Sequence, residues 1–300
     1  MAPRVELMNY DRPFWSRWAK SATYIFADLD RLGYWDLTLA ADLYLQLKKA
    51  GLSVWNDPAR FQNRYTLLRA LHAAGLNDFN AYRSDEIDSI RRFPVFLREI
   101  HGHGNPLTGL LETREDAARA VDAAIDGGRP LENLVLIELA AEPIREGLYC
   151  KQAAFRIGNA IVPHVAVHDT TWLVKYGRTF DLAIEDVYKE EHAVLEENPF
   201  ADHLRKVFDI AGIEYGRADF GFYQGRLQVF EINTNPLVGR VLESHPSATR
   251  VATMKLALEK YMAAMRAIDG GGKGLVRLPG GRLERRRLWM NLVRPMRQVY

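Results

Sequence analysis

What this chain lacks narrows its chemistry first. A single cysteine, Cys150, excludes an internal disulfide framework and suits a reducing compartment. No charge-free stretch is long enough to span a bilayer. The opening segment MAPRVELMNYDRPFWSRWAK has no apolar run of the signal-peptide kind. Neither sign of charge is in excess: 40 Lys and Arg against 38 Asp and Glu leave +2, which gives no global electrostatic case for nucleic acid. No Ser-His-Asp or Cys-His arrangement points to a nucleophile, and no internal repeat is visible. A cytoplasmic protein without a membrane span is expected. Its 300 residues, 48% of them apolar, allow one large domain or two intimate lobes.

What is present concentrates in one stretch, GRADFGFY followed by LQVFEINTNP. It reads as two strands joined at Gln224-Gly225-Arg226, where Gly225 supplies the backbone freedom of a tight hairpin. Strand alternation puts Phe220, Phe222, Phe230 and Ile232 inward and leaves Arg217, Asp219, Glu231 and Asn233 on the other face, with Val229 beside them. A three-residue loop pairs Asp219 with Glu231, whereas a strict two-residue loop sends Glu231 to the wrong face. Two facing carboxylates repel, so removing one is expected to stabilise the metal-free protein by roughly 0.2–1 kcal/mol. A hard divalent cation turns the same pair into a site, because Mg²⁺ takes carboxylate and carbonyl oxygens. Arg217 adds a fork suited to phosphate. The plainer alternative is a surface hairpin with a solvated charged face. The abrupt stop at Asn-Thr-Asn-Pro argues against it, since it stacks oxygen ligands at a strand end.

Elsewhere strands and helices alternate, as in an α+β or α/β enzyme. Residues 1–21 read as an irregular arm, and strands are expected at 23–28 and 52–55 around an amphipathic helix at 37–50 closed by Gly51. Helices follow at 60–75, 113–124 (with Thr113 as cap), 180–197, 201–211 and 249–267, with a helical turn at 85–92. Residues 80–83 are extended, strands lie at 93–98 and 134–138, and a hairpin spans 148–157 and 160–167. Gly270-Gly-Gly-Lys-Gly274 reads as a flexible linker. From 273 to 300, eight Arg or Lys face one acid, in a basic extension with an apolar stripe of Leu283, Leu288, Trp289, Leu292 and Val293. Cutting after Gly270 is expected to spare folding.

The spacing of Arg217 and Asp219, with Glu231 twelve residues after the Asp and then Asn233, Asn235 and Pro236, resembles the metal-binding signature of the ATP-grasp superfamily. Weaker matches extend over roughly residues 55–240. The resemblance implies an ATP-grasp fold, two α+β lobes enclosing ATP, preceded by a short β-α-β domain. It divides the chain at 1–58, 59–269 (with a lobe hinge near 138–147) and 270–300. It implies that Asp219, Glu231 and Asn233 hold two Mg²⁺ ions (Mn²⁺ being an alternative) against the ATP phosphates, and that Arg217 steadies the transferring phosphoryl group. Arg98 stands where the family usually has a phosphate-binding Lys, and Arg64 near where it carries another. His101-Gly102-His103-Gly104 resembles the glycine-rich flap over the triphosphate. An ordinary turn remains open there, and a His-Gly-His metal site lacks a third soft ligand at suitable spacing. Glu138 and Leu139 match the hinge that reads adenine through backbone groups, and the ribose acid lies among Glu138, Glu142 and Glu146. Lys151 and Lys175 are the remaining cations, and Lys175-Tyr176 looks like a pair that follows the central strands in this family.

The implied activity is an ATP-dependent carboxylate–amine ligase that forms an acylphosphate and releases ADP and phosphate. A kinase acting on a hydroxyl would use the same residues, and a nucleotide-binding regulatory protein without turnover is the third reading. The acceptor would be a small molecule or peptide, drawing on the N-terminal segment, residues 237–240 and the helix after Pro246, with Arg240 either holding a carboxylate or pairing at the surface. Whether two copies associate as a homodimer stays open.

Overall fold

A computed structural model describes residues 4–10, 17–102, 104–175, 177 and 185–280. The chain enters strand Trp18–Lys20 (β1) and then the first unit, in which Tyr24–Ile25 (β2) and Val54–Trp55 (β3) run parallel on either side of helix Tyr34–Lys49 (α1). Both strands are shorter than the apolar runs that announce them. In α1, Leu39, Leu43 and Leu47 recur every fourth residue and are all buried. Asp36 in its first turn and Lys48 and Lys49 in its last oppose the helix dipole. Asn56, just past β3, is wholly buried with φ of +61°. Its amide donates to the carbonyls of Phe26 (2.9 Å) and Tyr215 (2.7 Å) and accepts from the N–H groups of Glu214 and Tyr215 (both 2.9 Å). One side chain thus fastens the β-α-β unit to the start of the strand that bears Arg217 and Asp219.

Helix Arg64–Ala73 (α2) begins where the side chain of Asn63 accepts from the N–H of Thr66. Strands Ala81–Arg83 (β4) and Val95–Glu99 (β5), helix Arg114–Asp126 (α3) and strand Leu134–Glu138 (β6) complete an antiparallel sheet of order β4-β6-β5. Residues 84–89 make a 3₁₀ turn, not an α-helix. Leu134 and Leu136 face Ala117 and Val121 of α3, whereas Val135 and Ile137 pack with Leu68 of α2. Burial on both faces explains why β6 is uninterruptedly apolar up to Glu138.

The second sheet has order β10-β9-β7-β8, from Tyr149–Ile157 (β7), Ala160–Asp169 (β8), Tyr215–Tyr223 (β9) and Arg226–Asn233 (β10). Helices Glu185–Glu197 (α4) and Ala201–Ala211 (α5) precede β9, and Ala248–Ala267 (α6) follows β10. Leu204, Val207 and Phe208 of α5 cover Ala154, Ala218, Phe220 and Val229. Tyr261 and Met265 of α6 cover Phe155, Ile157 and Val162. Residues 154 and 155 are neighbours in one strand, so α5 and α6 lie on opposite faces of the sheet. Residues 180–184 of the helix expected from 180 lie outside the described residues.

The segment after α6 departs from expectation. Leu275–Arg277 (β11) pairs antiparallel with β1, setting Trp18 against Arg277 and Lys20 against Leu275. The N–H of Ser21 donates to Gly274 O (3.0 Å) and that of Leu278 to Arg17 O (2.7 Å). Leu278 is buried with Leu29, Leu39 and Leu43 of the N-terminal unit. At Gly272 a Cβ would fall 2.1 Å from Ser21 Oγ, so this glycine permits close approach of two chain segments. Residues 275–278, expected in a flexible extension, are thus paired with β1 and packed on the N-terminal unit. The stripe from Leu283 to Val293 lies outside the described residues, as do His103 and Tyr176.

Candidate active site

The hairpin of β9 and β10 reaches the expected pairing by a different route. Gln224 (φ +51°) and Gly225 (φ +73°) form a two-residue turn with both central residues left-handed, which matches the twist of the flanking strands. Pairing begins with Tyr223 opposite Arg226 and continues to Phe220 opposite Val229. On its own this register would send Glu231 to the core. A β-bulge between Val229 and Glu231 inserts Phe230 as an extra residue and corrects it. Beyond the bulge Asp219 faces Glu231, and Arg217 faces Asn233. The bulge also exchanges two side chains relative to simple alternation. Val229 is fully buried in the core with Phe220 and Leu227. Phe230, expected inward, instead packs 6.2 Å from Phe79 on the opposite face. A Cβ at residue 221 would lie 3.0 Å from the Phe230 ring, which accounts for Gly221.

Around this pairing the side chains form a charged array. Asp219, 1% exposed, receives Arg217 in a fork (Nε to Oδ1 2.7 Å, Nη2 to Oδ2 3.2 Å), and Lys151 Nζ stands 3.0 Å from Oδ2. Glu231 receives Arg64 Nη2 at 2.8 Å, with Arg98 Nη2 at 3.9 Å. Burial by itself would raise the Glu231 carboxyl, but Arg64, Arg98 and Lys151 outweigh it and hold it down at about 2. Arg64 was expected at a phosphate. It is otherwise committed: Nη1 donates to the carbonyls of Glu99 (2.7 Å), Ile100 (3.0 Å) and Gly102 (3.0 Å). Arg64 therefore ties the loop after β5 to Glu231. Arg98 differs. Its Nη2 donates to Gly104 O (3.2 Å), while Nε is buried without a hydrogen-bond partner among the described residues. Burial, with the charge of Arg64 beside it, lowers its pKa to about 10. A buried, unanswered guanidinium donor is costly unless an anion meets it.

Arg64, Arg98, Lys151, Asp219 and Glu231 line one end of a cleft between the two sheets. The other end is apolar, with Phe96, Ile137, Leu139, Trp172, Val174 and Phe230 in its walls. Trp172 lies 5.0 Å from Phe96, centroid to centroid. Sequence reasoning missed both rings, although Phe96 shares its strand face with Arg98 by alternation. Lys175 Nζ donates to Asn105 Oδ1 (2.9 Å), so the segment after β8 meets the loop after β5 over the cleft. Gly104 and Lys151 also line it.

Other expected residues take different places. The Glu138 carboxylate accepts from Asn80 N–H (3.0 Å) and Tyr82 O–H (2.9 Å), with Arg92 Nε 3.6 Å away, and so braces β6 against its neighbours. The N–H groups of Glu138 and Leu139 already donate, to Asn80 O (3.1 Å) and Pro94 O (2.9 Å), which leaves neither N–H for a base. Glu142 lines the cleft, while Glu146 is exposed and outside it. His101 is exposed and points its ring at Asp30 O (3.0 Å), toward the N-terminal unit and away from the cleft. At Gly102 a Cβ would sit 2.8 Å from Glu99 Oε2, so glycine there reflects crowding under the loop.

Neither a protein-family model nor a curated protein matches this chain. Solved structures do. The ATP-grasp ligase PsnB, complexed with a phosphomimetic variant of its minimal precursor, Mg and ADP, matches at 15% identity and a TM-score of 0.44, over 74% of this chain and 67% of that one. D-alanine–D-alanine ligase from Bacillus anthracis matches at 13% and 0.43, over 77% and 78%. An L-amino acid ligase from Bacillus licheniformis matches at 11% and 0.39, over 75% and 53%. The chain is similar to ATP-grasp ligases in fold. At TM-scores below 0.5 that likeness carries nothing about reaction or substrate, which rest on the residues themselves.

The donor set suits a hard cation. Asp219 and Glu231 face each other with the Asn233 amide on the same side of the ribbon, all oxygen donors. Among the described residues no group of three or more His, Cys, Asp or Glu is placed to hold a metal ion, so Asp219 and Glu231 stand as a pair of acids. No helix among them is long and apolar enough to cross a membrane.

Proposed function

We propose that the cleft binds ATP with Mg²⁺ and that the protein is an ATP-dependent carboxylate–amine ligase of ATP-grasp type. The observation that carries this reading is the pairing of Asp219 with Glu231, ringed by Arg64, Arg98, Lys151 and Arg217, at the polar end of an aromatic-walled slot. Transfer of a γ-phosphoryl group to a carboxylate brings anion to anion, so the protein must neutralise and align. Arg98, with its unmatched buried Nε, and Lys151 serve as phosphate contacts. Arg217 and Lys175 act at the transferring group, the first held in direction by Asp219 and the Leu237 carbonyl (3.2 Å). Bound Mg²⁺ would be held by Asp219, Glu231 and Asn233 and would supply charge neutralisation to phosphate oxygens. The apolar end takes the base, between Ile137 and Phe230, and Glu142 replaces Glu146 as the acid near the ribose. Residues 139–148 join the two sheets and act as the hinge. The product of the first step is an acylphosphate. An amine then attacks its carbonyl carbon and phosphate leaves.

The test is release of ADP and phosphate from ATP and Mg²⁺, screened against carboxylic acids paired with amines, including short peptides. Asp219→Asn should cut ADP release by orders of magnitude with the circular dichroism spectrum unchanged. Near wild-type turnover in that variant overturns the site. Formation of a phosphate ester without free phosphate would make the enzyme a kinase instead.

A further inference from the structure

Behind the cleft, on the opposite face of the second sheet, lies another cavity of ≈ 170 Å³, between the strands and helices α4 and α5. Its walls are mostly hydrocarbon, from Ala154, Val187, Val194, Leu204 and Phe220 among others. Gln152, His164, His168, Glu190, Glu191 and Asn198 break that surface. His168, 4% exposed, and Gln152 have no hydrogen-bond partner among the described residues. A largely apolar cavity of this size is comparable with an engineered one of about 150 Å³ that binds benzene, and polar groups in its wall can orient a small molecule.

We propose that this cavity binds a small uncharged molecule, an aromatic or branched hydrocarbon body bearing one hydroxyl or amide, and that its occupancy is coupled to the cleft through β7. The absence of charge follows from the walls. Glu191 is spent, accepting from Ala166 N–H and pairing with Arg250, and Glu190 at the rim pairs with Arg145 (2.8 Å). Burial, reinforced by the charge of Arg250, lowers the His168 pKa to about 4, and burial raises the Cys150 thiol to about 12, so both are neutral at pH 7. An ion entering would lose its hydration and find no counter-charge. A hydroxyl, by contrast, can donate to the imidazole and accept from the Gln152 amide.

Coupling follows from strand alternation. Gln152 faces the rear cavity, while its neighbour Lys151 reaches Asp219 on the cleft side, and Ala153 is the register partner of Asp219. Cys150 lines both spaces. A molecule that orders Gln152 therefore bears on the same strand that presents Lys151. This coupling rests on the cleft being the nucleotide site; the rear cavity as a binding site does not.

Phenol is a suitable probe, carrying a ring and one hydroxyl. Calorimetric titration of the full chain should show saturable binding with 1:1 stoichiometry. Gln152→Leu should weaken phenol about tenfold, the worth of one hydrogen bond, and leave benzene binding unchanged. Saturating phenol should shift the affinity for an ATP analogue at least threefold, and the analogue should shift phenol affinity by the same factor. Absence of saturable phenol binding to the unaltered protein overturns the site, whatever the variants do. Binding with unmoved analogue affinity overturns the coupling. If no ATP analogue binds at all, the cleft assignment fails, and the phenol titration still decides the rear cavity.

Discussion

Replacing Glu231 with Gln tests the charge balance that makes the cleft. In protein free of metal and nucleotide, Glu231→Gln should destabilise the fold by about 2–3 kcal/mol at pH 7. The folded carboxyl sits at about 2, against roughly 4.3 in an unfolded chain, and each pKa unit corresponds to about 1.4 kcal/mol. The side chain is 22% exposed, so solvent screening favours the lower end. Gln keeps a hydrogen bond to Arg64 but leaves Arg64 and Arg98 facing each other without the intervening anion. Two facing carboxylates considered alone give the opposite sign, a small gain on neutralising one. Arg64, Arg98 and Lys151 reverse it. The assay is urea unfolding in EDTA across pH. A depressed carboxylate contributes stability above its unfolded pKa and loses it as pH falls toward the folded value. The two proteins should therefore differ fully above about pH 5 and converge toward pH 2. A Gln variant as stable as wild type at pH 7, or more so, would refute this balance of charges.

Further outcomes can be checked alongside it. Asn56→Ala removes four hydrogen bonds and sets at positive φ a residue that tolerates it less well than Asn, so urea unfolding should show a loss of about 3–5 kcal/mol; Asn56→Gly should recover about 1 kcal/mol of it. Truncation after Gly270, which the glycine run makes look harmless, should lower the melting temperature, because Leu278 alone contributes about 1.5–3 kcal/mol by burial and the pairing of β1 with β11 is lost; an unchanged melt would show that residues 271–280 merely rest on the body. Hydrogen exchange at Gly104 and Asn105 should slow on adding a non-hydrolysable ATP analogue, while Leu107, already donating to Leu97 O at 2.8 Å, should change little.

The legible parts of this chain are those whose cause is local. Leu39, Leu43 and Leu47 announce α1 by period, Thr113 and Asp116 announce the start of α3 by capping, and Leu134 to Ile137 announce a buried strand by composition. The acidic pair was legible because facing strands convert sequence distance into proximity. What stayed hidden depends on partners far along the chain. Nothing near Arg64 signals that three carbonyls of residues 99–102 will claim it. Nothing near Gly270 signals that β1, some 250 residues earlier, needs a partner strand.

Phe230 shows how a correct pairing can hide a wrong premise. Asp219 opposite Glu231 is compatible with a three-residue loop, or with a two-residue turn plus one inserted residue, and pattern reading cannot separate them. They differ in what reaches the cleft. The longer loop would have put Val229 on the functional face and Phe230 in the core. The bulge does the reverse, so the aromatic floor of the slot and the charged end that follows it share one cause. In this ribbon a single extra residue supplies an apolar surface against Phe79 and then restores the alternation that aims Glu231 and Asn233 at Asp219 and Arg217. The site and the irregularity are one feature, and for that reason the regular reading of the strand could find the acids but not the ring beside them.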